Sequence, residues 1–152
     1  RPPSERYLDD TECTLWPAVM TADWAGGGLL STTEDLNRFL RAFTENRIFE
    51  DPPTRDGMFQ WVESGPFHNY GFGISRVLFD QSENPEHAGL GEIWGHAGSS
   101  CNFMFYWPRH DVTIIGTLNQ LNAEKNLYDI LAAVMHALLS KQAPPQVPGR
   151  DG

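Results

Sequence analysis

The chain has 152 residues, with 20 acidic and 11 basic side chains and a net charge of −9. Its length suits one domain burying roughly 70% of its unfolded surface, and an apolar fraction of 40% with five Trp excludes a disordered chain. No apolar run approaches the ~20 residues of a membrane span, no Lys/Arg cluster offers a nucleic-acid surface, and Cys13 and Cys101 are too few for a disulfide framework or a Cys-rich zinc site.

The chain opens Arg1-Pro2-Pro3-Ser4, with neither an initiator Met nor the pattern of a signal peptide, which reads as a segment of a longer protein. Residues 1–22 mix Pro, acidic and aromatic residues without a period and are expected to form an extended arm. After Gly26-Gly27-Gly28, Ser31 and Glu34 make a capping box, with Asp35 in the first turn where the helix dipole favours it. Leu36, Phe39, Leu40 and Phe43 then recur at helical spacing.

Residues 44–66 hold Pro52-Pro53, Asp56-Gly57 and Gly65-Pro66, which predicts a loop with one short helical turn. Tyr70, Phe72 and Ile74 alternate with glycines, which predicts a strand running toward Phe79. Asp80 to Gly91 is a polar, acidic connection, a solvated loop that could also rim a cleft. Strands follow over Glu92–His96, Cys101–Trp107 and Val112–Leu118, the last two joined by Pro108-Arg109-His110-Asp111, which is tight-turn chemistry. Such short connections imply antiparallel pairing. Leu127, Ile130, Leu131, Val134, Met135, Leu138 and Leu139 mark a closing amphipathic helix, and residues 142–152 a Pro/Gly-rich flexible tail. The expected fold is α+β: an antiparallel meander packed against the C-terminal helix, with the N-terminal arm and one further helix. The expected organisation is arm 1–22, domain 23–141 and tail 142–152.

Recognisable nucleophile motifs are missing. No G-x-S-x-G elbow occurs, the residues three before Lys125 and Lys141 are Asn122 and Leu138, so no S-x-x-K exists, and no Tyr precedes an Asn by two positions. His68, His87, His96, His110 and His136 never take a metal-binding spacing, and Gly26–Gly28 lacks the Lys of a phosphate loop, so neither metal nor cofactor is expected. What remains is Trp94-Gly95-His96-Ala97-Gly98-Ser99-Ser100. Glycines on a strand let a substrate backbone approach closely, and a His there can donate to a carboxylate or an oxyanion; in the alternative reading Gly95 and Gly98 serve a bulge or bend and His96 is an ordinary strand residue. Trp94 suits either a core position or a substrate platform.

Read in order, these segments resemble the serine β-lactamase and penicillin-binding-protein-like family, which includes class C β-lactamases, D-alanyl-D-alanine carboxypeptidases, D-aminopeptidases and esterases. Gly27-Gly28-Leu29 through Phe39 resembles its GG-L-x-S-T-x-x-D-L-x-x-F segment, Tyr70-Gly71-Phe72-Gly73-Ile74 its Y-G-x-G strand, and Gly95-His96-Ala97-Gly98 its G-H-x-G element, the counterpart of K-T-G. Trp107-Pro108 with Val112 to Asn119 resembles its later hairpin. The resemblance is to the C-terminal half of that family; S-x-x-K and Y-x-N lie upstream of anything matched. It implies the substrate-cleft half of a split site, in which His96 contacts a substrate carboxylate or the tetrahedral intermediate, Gly98 permits close approach and the Ser99 N–H is one of two oxyanion donors. The substrate would be a small molecule or peptide (a lactam, ester or D-amino-acid peptide), the chain alone inactive, and self-association or pairing with the N-terminal half expected. His in place of Lys tilts this toward ester or peptide chemistry, since imidazole is mostly neutral near pH 7. The alternative is a non-catalytic peptide- or protein-binding domain derived from the same fold.

Overall fold

The computed structural model describes residues 5–13, 29–121 and 123–142; the Gly26–Gly28 triplet, residues 14–22 of the expected arm and residues 143–152 of the expected tail lie outside them. The fold is α+β. Its elements are the short strands β1 (Tyr7–Leu8) and β2 (Thr11–Glu12), helices α1 (Thr33–Thr44) and α2 (Pro52–Met58), and strands β3 (Val62–Gly65), β4 (His68–Tyr70), β5 (Ser75–Leu78), β6 (Glu92–Ala97), β7 (Asn102–Trp107) and β8 (Val112–Thr117), closed by helix α3 (Glu124–Gln142). Strands β3 to β8 form one antiparallel sheet whose spatial order is the chain order.

Alternation along the strands sends two sets of side chains to opposite faces. Val77, Ile93, Phe105 and Ile114 are buried in one cluster with Leu127, Leu131, Ala132 and Met135 of α3. Fully burying each such Leu or Ile contributes about 2 kcal/mol. Trp107 belongs to the same cluster, and its indole N–H donates to the Leu90 carbonyl at 2.9 Å, so no polar group is orphaned. On the other face Trp94 packs edge-on against Phe43 of α1 and Phe59 after α2, and Thr113 donates to Asn37 of α1 at 2.7 Å. Trp94 is therefore a packing residue. The sheet is thus covered on both faces, by α3 on one and by α1 with α2 on the other.

Several details differ from the sequence expectation. The cap of α1 is Thr32 rather than Ser31: the Thr32 hydroxyl accepts from the Asp35 N–H at 3.1 Å, while Glu34 pairs with Arg38 instead. Two adjacent hydroxyl residues, each followed three positions on by an acid, leave that register open. The strand expected from Tyr70 to Phe79 is two strands. The Gly71 N–H donates to the Ile74 carbonyl at 2.8 Å, and β4 folds back on β5 with Tyr70 opposite Ser75. A Cβ on Gly71 would lie 2.2 Å from the Met58 carbonyl oxygen, so only glycine lets the chain pass there. The expected loop 44–66 holds α2 and also β3, a mostly exposed edge strand with a register irregularity between Glu63 and Gly65.

Within the expected arm, β1 and β2 pair as a hairpin, and Tyr7 exchanges backbone bonds with Asn119 and Leu121 beyond β8. Arg41 of α1 reaches the β7–β8 turn, where its guanidinium binds the Asp111 carboxylate and, at 2.8 Å, the Asp111 carbonyl. Hydrogen bonds from Arg41 and then Tyr106 hold the Asp111 carboxyl below its usual range, while burial first and Asp111 second push the Tyr106 hydroxyl above its own. Cys13 and Cys101 are both buried. Among the described residues no helix is long and apolar enough to cross a membrane.

Candidate active site

Strand β6 is central, hydrogen-bonded to β5 on one side and β7 on the other, and it delivers His96 near its C-terminal end. The approach of β7 depends on Gly95: a Cβ there would lie 2.0 Å from the Met104 carbonyl oxygen and 2.9 Å from the Phe105 Cα. The close neighbour of Gly95 is therefore the next strand of the sheet. His96 and Gly98 open onto a cleft of about 240 Å³, together with Tyr70, Ser75 and, from the first turns of α3, Leu127 and Tyr128.

The His96 ring has two partners. Nδ1 lies 2.8 Å from the Ala97 carbonyl oxygen, which can only accept, so Nδ1 carries a proton. Nε2 lies 2.8 Å from the Tyr70 hydroxyl, and the rings meet edge to face at 5.7 Å. In the neutral imidazole Nε2 is then the acceptor and Tyr70 the donor. Tyr70 is 41% exposed, so the pair faces solvent through the cleft.

Beyond His96 the chain turns at Gly98–Cys101, with the Gly98 N–H donating to the Asn102 carbonyl at 2.8 Å and the Cys101 N–H to the Gly98 carbonyl at 2.9 Å. Of the three residues expected in the site, His96 and Gly98 line the cleft, and Ser99 stands exposed on the adjoining turn, outside the lining. Among the described residues nothing accepts from the Ser99 N–H. Tyr70, Ser75 and Tyr128 were not expected there. The Y-G-x-G pattern contains Tyr70 but gives no sign that its hydroxyl meets His96.

Among the described residues no serine hydroxyl bonds to His96. A Ser–His–Asp chain does occur elsewhere: His87, only 2% exposed, places Nδ1 at 2.8 Å from the Ser82 hydroxyl and Nε2 at 3.0 Å from Asp129. The Ser82 N–H is spent on the Phe79 carbonyl, and the Ser82 hydroxyl also accepts from the Asn84 N–H. This chain fastens the 79–91 connection to α3.

A larger cleft, about 380 Å³, opens at the opposite end of β6 among Asp80, Gly91, Glu92 and Arg109. The acidic connection does rim a cleft, then, but this one. Its charges are already used: Asp80 accepts from the Gly89 and Gly91 N–H groups, Glu92 binds Arg76, and Arg109 donates to the Gly89 carbonyl. Size therefore favours this cleft, while unspent polar chemistry favours the smaller one at His96, which we take as the site. Among the described residues no group of three or more His, Cys, Asp or Glu is arranged to hold a metal ion.

No curated protein and no solved structure matches the chain. The family model described as Beta-lactamase matches residues 2–138, a span that holds the whole six-stranded sheet, both helices of one face and most of α3. On that match, the chain belongs to the beta-lactamase family.

Proposed function

We propose that this chain is the C-terminal, substrate-cleft portion of a serine hydrolase of the β-lactamase and penicillin-binding-protein-like kind, acting on a lactam, ester or D-amino-acid peptide through an acyl-serine. The observation that carries the reading is the His96–Tyr70 pair set in a cleft where, among the described residues, no serine meets a base. Here His96 contacts the bound acyl compound, Gly98 lines the cleft beside it, and the Ser99 N–H donates to the oxyanion. One such donor is worth about 3 kcal/mol of transition-state stabilisation. The attacking serine, the lysine that takes its proton and the second donor come from a complementary half carrying S-x-x-K and Y-x-N. Leu29, Leu30 and Phe72 stand 87%, 74% and 67% exposed, which supports pairing with that half or with a second copy.

The test is covalent labelling by a fluorescent penicillin. The 152-residue chain should remain unlabelled, and a protein extended upstream through an S-x-x-K segment, or the two halves mixed, should label on the serine of that segment. Labelling traced to a serine of the chain itself refutes the reading. Absence of labelling in the extended protein would favour the non-catalytic binding domain instead.

A further inference from the structure

We propose that His87 is a positioning residue for the cleft: by joining Ser82 to Asp129 it holds the first turns of α3 against the segment that follows β5, and so sets how far the two walls of the cleft stand apart. The proposal rests on the reading of this cleft as a ligand site, and it adds what keeps its walls in place.

The two walls have different origins. Tyr70 ends β4 and Ser75 opens β5, whereas Leu127 and Tyr128 stand on α3. The first pair is held by the sheet ladder, with Tyr70 opposite Ser75. Helix α3 meets the sheet through apolar packing, which is non-directional and does not by itself fix how the helix is turned about its axis. The connection after β5 supplies direction. It leaves through Phe79, whose N–H donates to the Gly91 carbonyl at 2.9 Å, and reaches α3 at the short turn Pro85–His87. There the His87 ring is 2% exposed, 4.9 Å from the ring of Phe79 and 6.0 Å from that of Phe67.

The bonds of that ring run in one direction. The Asp129 carboxylate only accepts, so Nε2 carries a proton toward it at 3.0 Å, and in the neutral imidazole Nδ1 accepts from the Ser82 hydroxyl at 2.8 Å. The Asn84 amide donates to the same carboxylate oxygen at 2.9 Å. With the ring buried, water does not compete for its two bonds. Asp129 follows Tyr128 directly and shares a helical turn with Leu127, so the anchor and the cleft wall move together. A second tie, His136 Nε2 to the Glu86 carbonyl at 2.7 Å, lies two turns further along α3 and steadies the half of the helix away from the cleft.

The experiment uses the 152-residue chain and NMR. Asp129→Ala removes the anchor at a side chain that is 58% exposed, so the fold survives the change. It should abolish the through-space contact between the Tyr128 and His68 rings, which lie 4.6 Å apart. Amide exchange at Asp129, Ile130 and Leu131 should speed up about tenfold. The Kd of N-acetyl-D-alaninamide, followed through the Ala97 and Gly98 amide signals, should rise severalfold. Asp129→Asn keeps an oxygen for Nε2 and should restore all three readings. His136→Ala, which also cuts a tie between the same two segments, should leave them at the parent values. Asp129→Ala or His87→Leu with the parent's ring contact and exchange would overturn the proposal. So would an Asp129→Asn variant that restores nothing, or a His136→Ala variant that reproduces the changes, which is the mark of general loosening. A parent chain that does not bind the amide counts against the reading of the cleft, while ring contact and exchange still decide the role of His87.

Discussion

Replacing Gly95 with Ala adds one methyl group at the most confined point of the sheet. The new carbon would stand 2.0 Å from the Met104 carbonyl oxygen and 2.9 Å from the Phe105 Cα, both backbone atoms that no rotamer change can move. Comfortable contact between carbons begins near 3.5 Å, so β6 and β7 must part by more than an ångström at a spacing of about 4.8 Å. Overpacking of this kind costs about 1–3 kcal/mol. Opening the ladder across Trp94–Tyr106, Gly95–Phe105 and His96–Met104 forfeits at least one hydrogen bond, about 1 kcal/mol more. A loss of about 3 kcal/mol follows, which with a urea slope near 2 kcal/mol/M lowers the midpoint by about 1.5 M. Urea unfolding followed by tryptophan fluorescence measures it, Trp94 being the adjacent residue. A drop below about 0.3 M would refute the reasoning, because the two strands would then have room for a side chain and the glycine would have to be explained from the ligand side.

Two further outcomes are expected from packing and charge. Leu131→Ala empties a fully buried position of the α3 core and should cost about 3 kcal/mol, whereas Ile130→Ala, 38% exposed on the same helix, should cost under about 1 kcal/mol; equal urea midpoints for the two variants would contradict the assigned helix face. His68 has a buried Nε2 without a partner, and burial lowers its pKa below the ordinary imidazole value. The sign follows: neutral His68 is favoured by folding, so its contribution is complete above the unfolded value near 6.5 and is lost as pH falls through the lower folded value. His68→Phe should therefore gain stability relative to the parent between pH 7.5 and pH 5.0, measured by urea unfolding, and a gap that does not change with pH would rule this out.

How much of this was readable beforehand depended on whether an element carries a period. Strands β6, β7 and β8 and helix α3 alternate or repeat against a core, and the Pro108–Asp111 turn is marked by its own residues, so their places follow from the chain. Strand β3 is solvated over most of its length, so burial imposes no alternation on Val62-Glu63-Ser64-Gly65. The run Tyr70-Gly71-Phe72-Gly73-Ile74 imitates a half-buried strand because large apolar residues alternate there, yet Phe72 is exposed and the glycines mark a reversal. His96 was identifiable from Gly95-His96-Ala97-Gly98. Its partner was not, because Tyr70 is 26 residues away and reaches it only through the combined registers of β4 on β5 and β5 on β6.

The chain-ordered meander bears on how such a polypeptide comes to exist at all. From Val62 to Thr117 every strand is laid down beside the one just made, so assembly proceeds by successive hairpins, each closing a short loop at small entropic cost. No strand must be held open for a distant segment to thread between its neighbours. The sheet can therefore zip up strand by strand during synthesis, in the order in which its residues emerge.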